Sequence, residues 1–448
     1  MYKKLKSFSF FLVLFSLISV FFFAGNIYAQ QTQRIEIPAS PNPVGSGARS
    51  LGMGGAFIGV ADDATAASWN PGGLIQLEKP EFSVVGAWFK RDEKIKFGTN
   101  PEASGLQSVN KASLNYFSFA LPFQFEDYNM IISLNYQHLY DFTRKWNFPI
   151  KTYLANGNFD DSHFDYKQEG GLYAWGFAYC VQLTPSLSIG GTLNIWDNWP
   201  SENGWQQKYQ TAQTGYDTGS IYQTGATSKD KYNFKGVNFN LGMMWNVTGN
   251  FTVGAVFKSP FRAVLKHRSE YTNWTLWPDF PAANTLMTGV KNTTESLDMP
   301  TSYGIGFSYR FNDAFTVSAD VYRTEWRYFI QRDADGNNFS PISGKAKKDS
   351  NVQATHQVRV GAEYLLIGDK TVLPLRAGVF YDPSPSEGAP DNYFGFSAGS
   401  GLTYDIISFD VAFQYRFGVN VGKDILSARD FSEDLNEYKV YSSIIIHL

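Results

Sequence analysis

The residues between Gly47 and Leu74 have the composition of a phosphate-binding loop. They read GARSLGMGGAFIGVADDATAASWNPGGL, which is rich in glycine and carries two adjacent aspartates. A loop of this kind binds phosphate when it follows a strand and opens a helix within a βαβ unit. The upstream segment contains Pro38, Pro41 and Pro43 and is not a strand, and no βαβ pattern follows it. We therefore expect no nucleotide site here, and glycine in this segment serves close packing and turns.

The histidines are the other residues whose chemistry could indicate catalysis or metal binding. The chain has five, His138, His163, His267, His356 and His447, and their spacing matches no metal-ligand motif. A Ser–His hydrolase would need both side chains at one height on adjacent strands, whereas strand parity places His138 and His356 among outward-facing aromatic residues. We expect no enzyme, no cofactor and no bound metal, and we interpret His138 as part of an aromatic girdle.

The first thirty residues have the order of a secretory signal peptide. A lysine-rich start precedes an apolar stretch at 8–24, and Ala29 ends a plausible cleavage site. We predict a signal peptide over residues 1–29, with an uncleaved membrane anchor as the alternative. The chain is therefore predicted to be exported.

The composition narrows the class of protein further. Of 448 residues, 17% are aromatic and 18% charged, the net charge is −3, and there is one cysteine, Cys180. One cysteine excludes an internal disulfide framework, and the charge gives no reason to expect nucleic acid. Beyond the signal, no apolar run approaches the roughly 18 residues that a membrane-spanning helix needs. This profile fits an outer-membrane β-barrel, and it also fits a large secreted β-protein.

Alternation of apolar and polar residues separates these two possibilities. Fourteen alternating runs, most of them long enough to cross a bilayer, lie at 82–90, 113–122, 130–140, 165–183, 187–197, 231–247, 251–268, 300–311, 315–330, 352–367, 371–381, 392–404, 406–417 and 436–448. The connections between them alternate strictly between long and short. Long extracellular loops and short periplasmic turns on an even number of strands are typical of transmembrane barrels. The pattern predicts an all-β, fourteen-stranded antiparallel transmembrane barrel.

Strand parity also predicts which charged side chains face the lumen. In run 300–311 the aromatic and aliphatic residues share one face, and because a lipid-facing cation costs about 2–4 kcal/mol, that face must point outward. A lumenal cation could bind the carboxylate of a ligand, arginine being favoured for bidentate geometry. The candidates are Lys258, Arg310, Arg359, Arg376 and Arg416. The alternative is that they pair with acids of the wall or of the N-terminal segment, such as Asp320, Glu363, Asp410, Asp62 and Asp63.

Two long loops carry exposed apolar residues. The fourth contains Trp274, Leu276, Trp277 and Phe280, followed by Leu286 and Met287. The third supplies Trp199 and Trp205, with Pro200 and Tyr209 beside them. Large exposed apolar patches indicate binding surfaces, so one interpretation is a capture groove for a hydrophobic ligand. The other is an aromatic girdle or a self-packed loop core.

The glycine-rich segment resembles the N-terminal hatch of the FadL/TodX family of outer-membrane transporters of long-chain fatty acids and hydrocarbons. The family's Asn-Pro-Ala motif is matched by Asn70-Pro71-Gly72, with glycine replacing alanine. The resemblance implies a hatch over residues 30–80, inside a barrel over residues 81–448. The hatch positions that carry it are Gly52, Gly54, Gly55, Asp62, Asp63, Asn70, Pro71 and Gly72. We expect Asp62 or Asp63 to cap a short helix at 64–69.

The resemblance further implies uptake of hydrophobic small molecules, foremost long-chain fatty acids. It implies capture between the third and fourth long loops, binding in the lumen, and hatch-gated release through a gap in the wall near the third strand. The third run, MIISLNYQHLY, lacks the glycine often found at the kink of that strand, so a kink here would need a bulge.

The expected location and partners follow from the same resemblance. We expect a monomer in a Gram-negative-type outer membrane, in contact with lipid and lipopolysaccharide. The alternative function is that of a PorV-like barrel, which does not transport small molecules and serves as a scaffold or shuttle in protein secretion. A continuous apolar pocket from Trp274 and Trp277 down to the hatch would favour transport, and a lumen filled by polar side chains would favour the scaffold.

Overall fold

The computed structural model describes residues 34–35, 37–38, 40–42, 45–153, 158–199, 202–217 and 219–448. The predicted signal peptide lies outside them. Two short helices, α1 (Ala48–Gly52) and α2 (Ala66–Trp69), and a 3₁₀ helix (Pro71–Gln76) come first. The strands are β1 (Glu81–Phe97), β2 (Gly105–Phe125), β3 (Tyr128–Asp141), β4 (Arg144–Tyr153), β5 (Phe159–Thr184), β6 (Leu187–Trp196), β7 (Gly204–Asp217), β8 (Ser220–Asn246), β9 (Phe251–Lys258), β10 (Phe261–Leu276), β11 (Thr285–Met299), β12 (Ser302–Asn312), β13 (Phe315–Thr324), β14 (Ile330–Arg332), β15 (Asn338–Phe339), β16 (Thr355–Ile367), β17 (Thr371–Tyr381), β18 (Tyr393–Tyr404), β19 (Ile407–Val421) and β20 (Phe431–His447). Further 3₁₀ helices span Pro101–Ala103, Pro281–Ala283, Trp326–Tyr328 and Ser427–Arg429.

Fourteen of these strands form the wall of a closed antiparallel barrel. Their order around the barrel is β1-β2-β3-β5-β6-β8-β9-β12-β13-β16-β17-β18-β19-β20. The last strand pairs with the first from Glu81–His447 to Phe97–Phe431, which closes the ring. The predicted fold class is confirmed.

Side-chain alternation along the wall follows the predicted parity. In β12, Tyr303, Ile305 and Phe307 are exposed on the outer face, while Gly304 and Gly306 between them are buried. Since apolar side chains face outward along such strands, the exposed belt is the surface that contacts lipid.

One predicted strand is divided in two. The run 251–268 forms β9 and β10, which are separated by Ser259 and Pro260. Proline has no N–H to donate to a ladder. β9 pairs with β12 in the barrel wall, whereas β10 pairs with β8 and β11 above it.

Much of the predicted long-loop sequence forms hairpins and not irregular loops. β4, β7 and β11 all lie in regions predicted as loops, and β4, β5, β7, β8, β10 and β11 pair in that order. They make a sheet that extends the wall on the extracellular side. Its inner face packs into an apolar cluster that includes Phe142, Trp205, Tyr232 and Phe234.

The N-terminal helices lie inside the barrel. The residues between Gly45 and Leu77 are mostly buried, and Met53, Phe57, Trp69 and Leu74 form a cluster with wall residues. Among the described residues, no helix is long and apolar enough to cross a membrane.

Candidate functional site

The hatch, defined as residues 45–77, touches the wall through glycines on both sides of the contact. Gly54 has a φ of +67° and its N–H donates to Ser397 Oγ at 2.8 Å. A Cβ on Gly378 would lie 2.3 Å from the Gly54 nitrogen, and a Cβ on Gly52 would lie 3.2 Å from the Cα of Gly399. Gly55 also has a positive φ, of +74°. Glycine is therefore needed here for close approach and for left-handed backbone.

The Asn70-Pro71-Gly72 turn attaches the hatch to a second part of the wall. The fully buried Asn70 donates from Nδ2 to the carbonyl oxygens of Ile58 and Met243, both at 2.9 Å, and its Oδ1 accepts from the Gly72 N–H at 3.1 Å. The Gly72 carbonyl oxygen accepts from Ser188 Oγ at 2.7 Å. One asparagine side chain thus joins two segments of the hatch and strand β8.

The two aspartates of the hatch have different partners. The Asp63 carboxylate accepts from the N–H and the Oγ1 of Thr65, at 2.8 and 2.6 Å. Asp62 pairs with Arg49 at 2.6 Å. Helix α2 begins one residue after Thr65, which is its N-cap residue and makes no side-chain cap. The expectation that an aspartate caps this helix is therefore wrong, because the Asp63 carboxylate closes a local turn before the helix starts.

A row of ion pairs connects the hatch to the wall. Arg49 bridges Asp62 and Glu363, with 2.8 Å to the latter, and Arg376 bridges Glu363 at 2.6 Å and Asp410 at 2.5 Å. These groups are mostly buried, so each cation is neutralised within the protein. Arg376 is held by acids of the wall, as in the alternative interpretation of the lumenal arginines.

The other predicted arginines lie in three settings. Arg416 pairs with Asp382 at 3.1 Å and stacks over Tyr393, with 3.9 Å from its guanidinium carbon to the ring centre. Arg359 donates to the Gly54 carbonyl oxygen at 2.8 Å and lies 3.8 Å from Asp382. Arg310 is exposed beside the periplasmic turn after β12. Parity places Arg310 on the lumenal side, but its height puts it at the rim.

Lys258 lines a polar cavity of the lumen. Its Nζ is 5.7 Å from the ring centre of Tyr322. The cavity has a volume of about 50 Å³, and its polar lining includes Gln137, Asn194, Asn238, Asn240, Ser302 and Thr324. Gln137 donates to Asn194 at 3.1 Å and Asn238 to Asn240 at 3.2 Å, so carboxamides line one side of this cavity. These carboxamides come from three strands, β3, β6 and β8, and no spacing along the chain connects them, so the sequence does not reveal the cluster.

Part of the backbone pairing between β2 and β3 is missing from the barrel wall. Their ladder starts at the periplasmic turn and ends at Tyr116 and Gln137. Beyond that point β2 pairs with β1 and β3 pairs with β5. We call residues 111–115 of β2 and 138–141 of β3 the seam.

Both strands are irregular at the seam. The β3–β5 ladder skips Leu139, and the β1–β2 ladder skips Asn115. Such bulges redirect side chains and interrupt pairing. The interruption thus arises without a glycine in the third strand.

Polar side chains connect the two sides of the seam where backbone pairing is missing. Lys111 Nζ lies 2.8 Å from Asp141 Oδ2, Ser113 Oγ lies 3.4 Å from His138 Nδ1, and Asn115 Nδ2 donates to the His138 carbonyl oxygen at 3.4 Å. The His138 ring also stacks on Tyr173, with 4.5 Å between ring centres. The His138 side chain is therefore buried at the seam, 6% exposed, and is packed against an aromatic residue.

A cavity of about 120 Å³ joins the hatch to the seam. On the hatch side it is lined by Leu51 and Trp69, and on the wall side by Trp88, His138 and Leu139. Trp88 is 40% exposed, on the lipid-facing side of β1. The cavity therefore extends from the hatch surface to the place where wall pairing is lost.

The predicted capture residues are not brought together. Trp205 is buried in the lumen, stacked between Phe142 and Tyr232 at 4.8 and 4.7 Å. Trp199 is 68% exposed and packs on Trp175. The sequence could not separate these two tryptophans, because the burial of Trp205 depends on β7 pairing over β5.

The fourth-loop residues lie at the tip of the β10–β11 hairpin. Trp274 is paired across the ladder with Gly225, whereas Trp277 stacks on Tyr222 with 5.0 Å between ring centres. Leu276 and Phe280 are exposed, as are Leu286 and Met287. Among the described residues, neither Trp274 nor Trp277 lines the lumenal cavities of about 50, 70 and 120 Å³.

His267 lies in a buried charge cluster of the extracellular sheet. Its Nδ1 is 2.8 Å from Glu295 Oε1 and its Nε2 is 2.9 Å from Asp230 Oδ1. Burial lowers the pKa of His267, but the hydrogen bonds and charges of Asp230 and Glu295 outweigh it and raise the pKa to about 9. The imidazole is thus an imidazolium at neutral pH. Among the described residues, no three His, Cys, Asp or Glu side chains converge as metal ligands.

Comparison with known families fits this geometry. A family model described as outer membrane protein transport protein (OMPP1/FadL/TodX) matches residues 46–436. The chain belongs to the FadL/TodX family. A search of curated proteins found no match.

Solved structures of FadL/TodX proteins share the fold. A FadL homologue of Pseudomonas aeruginosa has 15% identity and a TM-score of 0.61, covering 90% of this chain and 98% of that one. The toluene transporter TodX of Pseudomonas putida has 14% identity and a TM-score of 0.56, with coverages of 90% and 98%. The monoaromatic hydrocarbon channel CymD has 17% identity and a TM-score of 0.51, with coverages of 91% and 98%.

Membership of the FadL/TodX family places the chain in the outer membrane, as predicted, among transport proteins. The predicted family is thereby confirmed. In this FadL/TodX barrel, the hatch, the carboxamide-lined cavity and the seam lie next to one another, since Gln137 lines both the seam-side and the carboxamide-lined cavities.

Proposed function

We propose that this chain takes up hydrophobic small molecules, foremost long-chain fatty acids, through the outer membrane and releases them sideways at the seam. Two structural relatives are named a toluene transporter and a monoaromatic hydrocarbon channel, which supports a hydrophobic cargo. The observation that carries the proposal is the loss of β2–β3 pairing beside the cavity next to the hatch. A cargo leaving there reaches lipid without crossing the periplasmic end of the hatch.

The apolar residues at the tip of the β10–β11 hairpin are the proposed capture surface. Leu286 is 70% exposed, Phe280 58% and Met287 50%. Exposed apolar side chains of this kind attract apolar solutes from water, because contact removes their surface from solvent. The proposed capture surface therefore consists of the fourth-loop residues alone. Trp205 is not part of it because its side chain is buried.

The carboxamide-lined cavity supports a fatty acid over a plain hydrocarbon. A carboxylate buried without polar partners is costly, and Lys258 with the amide donors of Asn238 and Asn240 could supply them. A hydrocarbon would gain nothing from such groups.

Locking the seam tests the route. In a Cys180→Ala background, Ser113→Cys and His138→Cys would be joined by a short bifunctional thiol reagent. We expect oleate uptake by cells to fall by about tenfold or more, equivalent to a barrier increase of about 1.4 kcal/mol, while oleate binding by the purified protein persists. The matched control is Thr252→Cys with Ser308→Cys, which joins β9 and β12 where they are already paired.

Uptake that continues with a locked seam would contradict the route. Wild-type protein that neither binds nor takes up oleate or toluene would contradict transport altogether. It would favour the alternative of a protein-secretion scaffold, which one observation supports: at the level of the hatch, the ion pairs of Arg49 and Arg376 occupy the lumen.

A further inference from the structure

A groove on the outer face of the barrel remains outside the proposed transport route. It crosses strands β5, β6, β8 and β9 and has a volume of about 540 Å³. Its floor is formed by small outward-facing residues, Gly191 and Ala255. Tyr179, Leu241 and Phe257 stand around it and are exposed at the lipid-facing surface.

The strand register explains the shape of the groove. Tyr179, Gly191, Leu241 and Phe257 are direct neighbours in one row across the four strands. In an antiparallel sheet such a row lies on a single face. Because glycine has no side chain, the row is interrupted between Tyr179 and Leu241, and the outer surface is recessed there.

The depth of the groove follows from its distance to the periplasmic turn. Tyr179 and Val181 lie five and three residues before Thr184, at which the β5–β6 ladder ends. At about 3.3 Å per residue along strands tilted by about 40°, the groove lies about 8–13 Å above that turn. It is therefore in the periplasmic half of an apolar band about 25 Å tall.

We propose that this groove is a binding site for the acyl chain of a phospholipid in the periplasmic leaflet. The groove is continuous with the exposed apolar belt that contacts lipid, and its lining residues are apolar apart from the tyrosine hydroxyl. An empty recess at this depth would leave apolar surfaces without contact partners, whereas an acyl chain fills it and gains dispersion contacts. The site does not depend on the transport proposal.

The test uses the full-length barrel in vesicles of phosphatidylethanolamine and phosphatidylglycerol with a trace of phospholipid bearing a mid-chain diazirine. After irradiation, labelled peptides are mapped by mass spectrometry. We expect Tyr179, Gly191 and Leu241 to be labelled at least about threefold more than Phe307 and Ala319, a preference of the size that burying one further methylene gives. Phe307 and Ala319 are paired neighbours on the outer face of β12 and β13.

A variant that fills the groove provides the second measurement. A Cβ on Gly191 would lie 3.5 Å from its nearest neighbours, an ordinary contact distance, so Gly191→Leu together with Ala255→Leu should fold. We expect the preferential labelling to disappear in this variant. It should persist in Ala377→Leu, the same type of substitution at an exposed position of β17.

Three results would overturn the proposal. One is equal labelling of the groove residues and of Phe307 and Ala319 in the wild-type protein, a result that does not depend on any variant. Another is stronger labelling by a free diazirine fatty acid than by the phospholipid, which would make the groove a place for cargo. The third is peptides cross-linked between two barrels at Gly191, which would make it a contact between copies of this chain.

Discussion

The side-chain amide of Asn70 donates to the backbone carbonyl oxygen of Met243 at 2.9 Å, across the boundary between hatch and wall. The same amide nitrogen donates to Ile58 within the hatch. A single buried residue therefore contributes both to the fold of the hatch and to its position on β8, and the hatch cannot leave the wall at this point without breaking the bond to Met243.

Replacing Asn70 by alanine should destabilise the hatch. The change removes the Asn70 donor from the carbonyl oxygens of Ile58 and Met243, and each lost hydrogen bond to a buried group costs about 1–3 kcal/mol. We expect the free energy of unfolding to fall by about 2–4 kcal/mol in urea titrations of the folded barrel. Asn129→Ala is the control, because Asn129 bonds to Gln182 at the exposed periplasmic turn. Equal stability of Asn70→Ala and wild type would show that the turn is held by other contacts.

Alanine substitutions can separate two reasons for glycine in the hatch and wall, a left-handed backbone and close packing. Gly54 combines a φ of +67° with close approach to the wall, Gly378 has the close approach, and Gly388 has a φ of +85° with open space around it. Alanine at Gly388 should cost about 1 kcal/mol, and alanine at Gly378 or Gly54 about 2–4 kcal/mol, since the added carbon meets hatch or wall backbone. Thermal unfolding of the three variants measures this. Equal losses at Gly388 and Gly54 would contradict a role for packing.

Removing the charge of Lys258 tests the nature of the cargo. Lys258→Met should weaken oleate binding by about tenfold or more, the size expected for a hydrogen bond to a charged group, and leave methyl oleate binding unchanged. Competition with a fluorescent fatty acid gives both affinities. Arg310→Met is the matched control, because it removes a charge at the exposed rim. If both ligands lose affinity equally, the lysine shapes the cavity without binding a carboxylate.

The imidazolium of His267 makes the extracellular sheet sensitive to alkaline pH. Its pKa is raised from 6.5 to about 9, so its contribution to stability is complete below about pH 6.5 and is lost as the pH rises through about 9. Hydrogen exchange of β8, β10 and β11 at pH 6 and pH 10 should show faster opening at the higher pH. In His267→Gln this pH dependence should be smaller, and in His356→Gln unchanged. A wild-type sheet with the same protection at both pH values would contradict the shifted pKa.

Much of the wall could be predicted because its physics is local. Lipid outside and hatch inside impose alternation on every strand, so Tyr303, Ile305 and Phe307 reveal their face from sequence alone. The parity of a residue along its strand predicts whether the side chain faces lipid or lumen, but not how far along the barrel axis it lies. Arg310 has the parity of the lumen and lies at the rim, where the strand ends.

Features that depend on neighbouring strands could not be predicted. Asp230, His267 and Glu295 meet because β8, β10 and β11 pair above the barrel. Asp230 and Glu295 lie in regions predicted as loops, and His267 lies in the run 251–268, predicted as a single wall strand. The seam likewise arises from bulges in ladders, which depend on the partners of β2 and β3. A pattern read along one strand contains no information about such partners.

The contact between the hatch turn and strands β6 and β8 has a mechanical consequence. A Cβ on Gly190 would lie 2.4 Å from the Pro71 oxygen, and one on Gly242 would lie 2.2 Å from Asn70 Oδ1, so no side chain separates the turn from the wall. On the other side, Gly191 leaves the same wall bare toward the bilayer. Hatch and membrane are thus one peptide layer apart at these two glycines. A displacement of β6 or β8 at Gly190 and Gly242 therefore acts on the hatch turn without an intervening wall side chain.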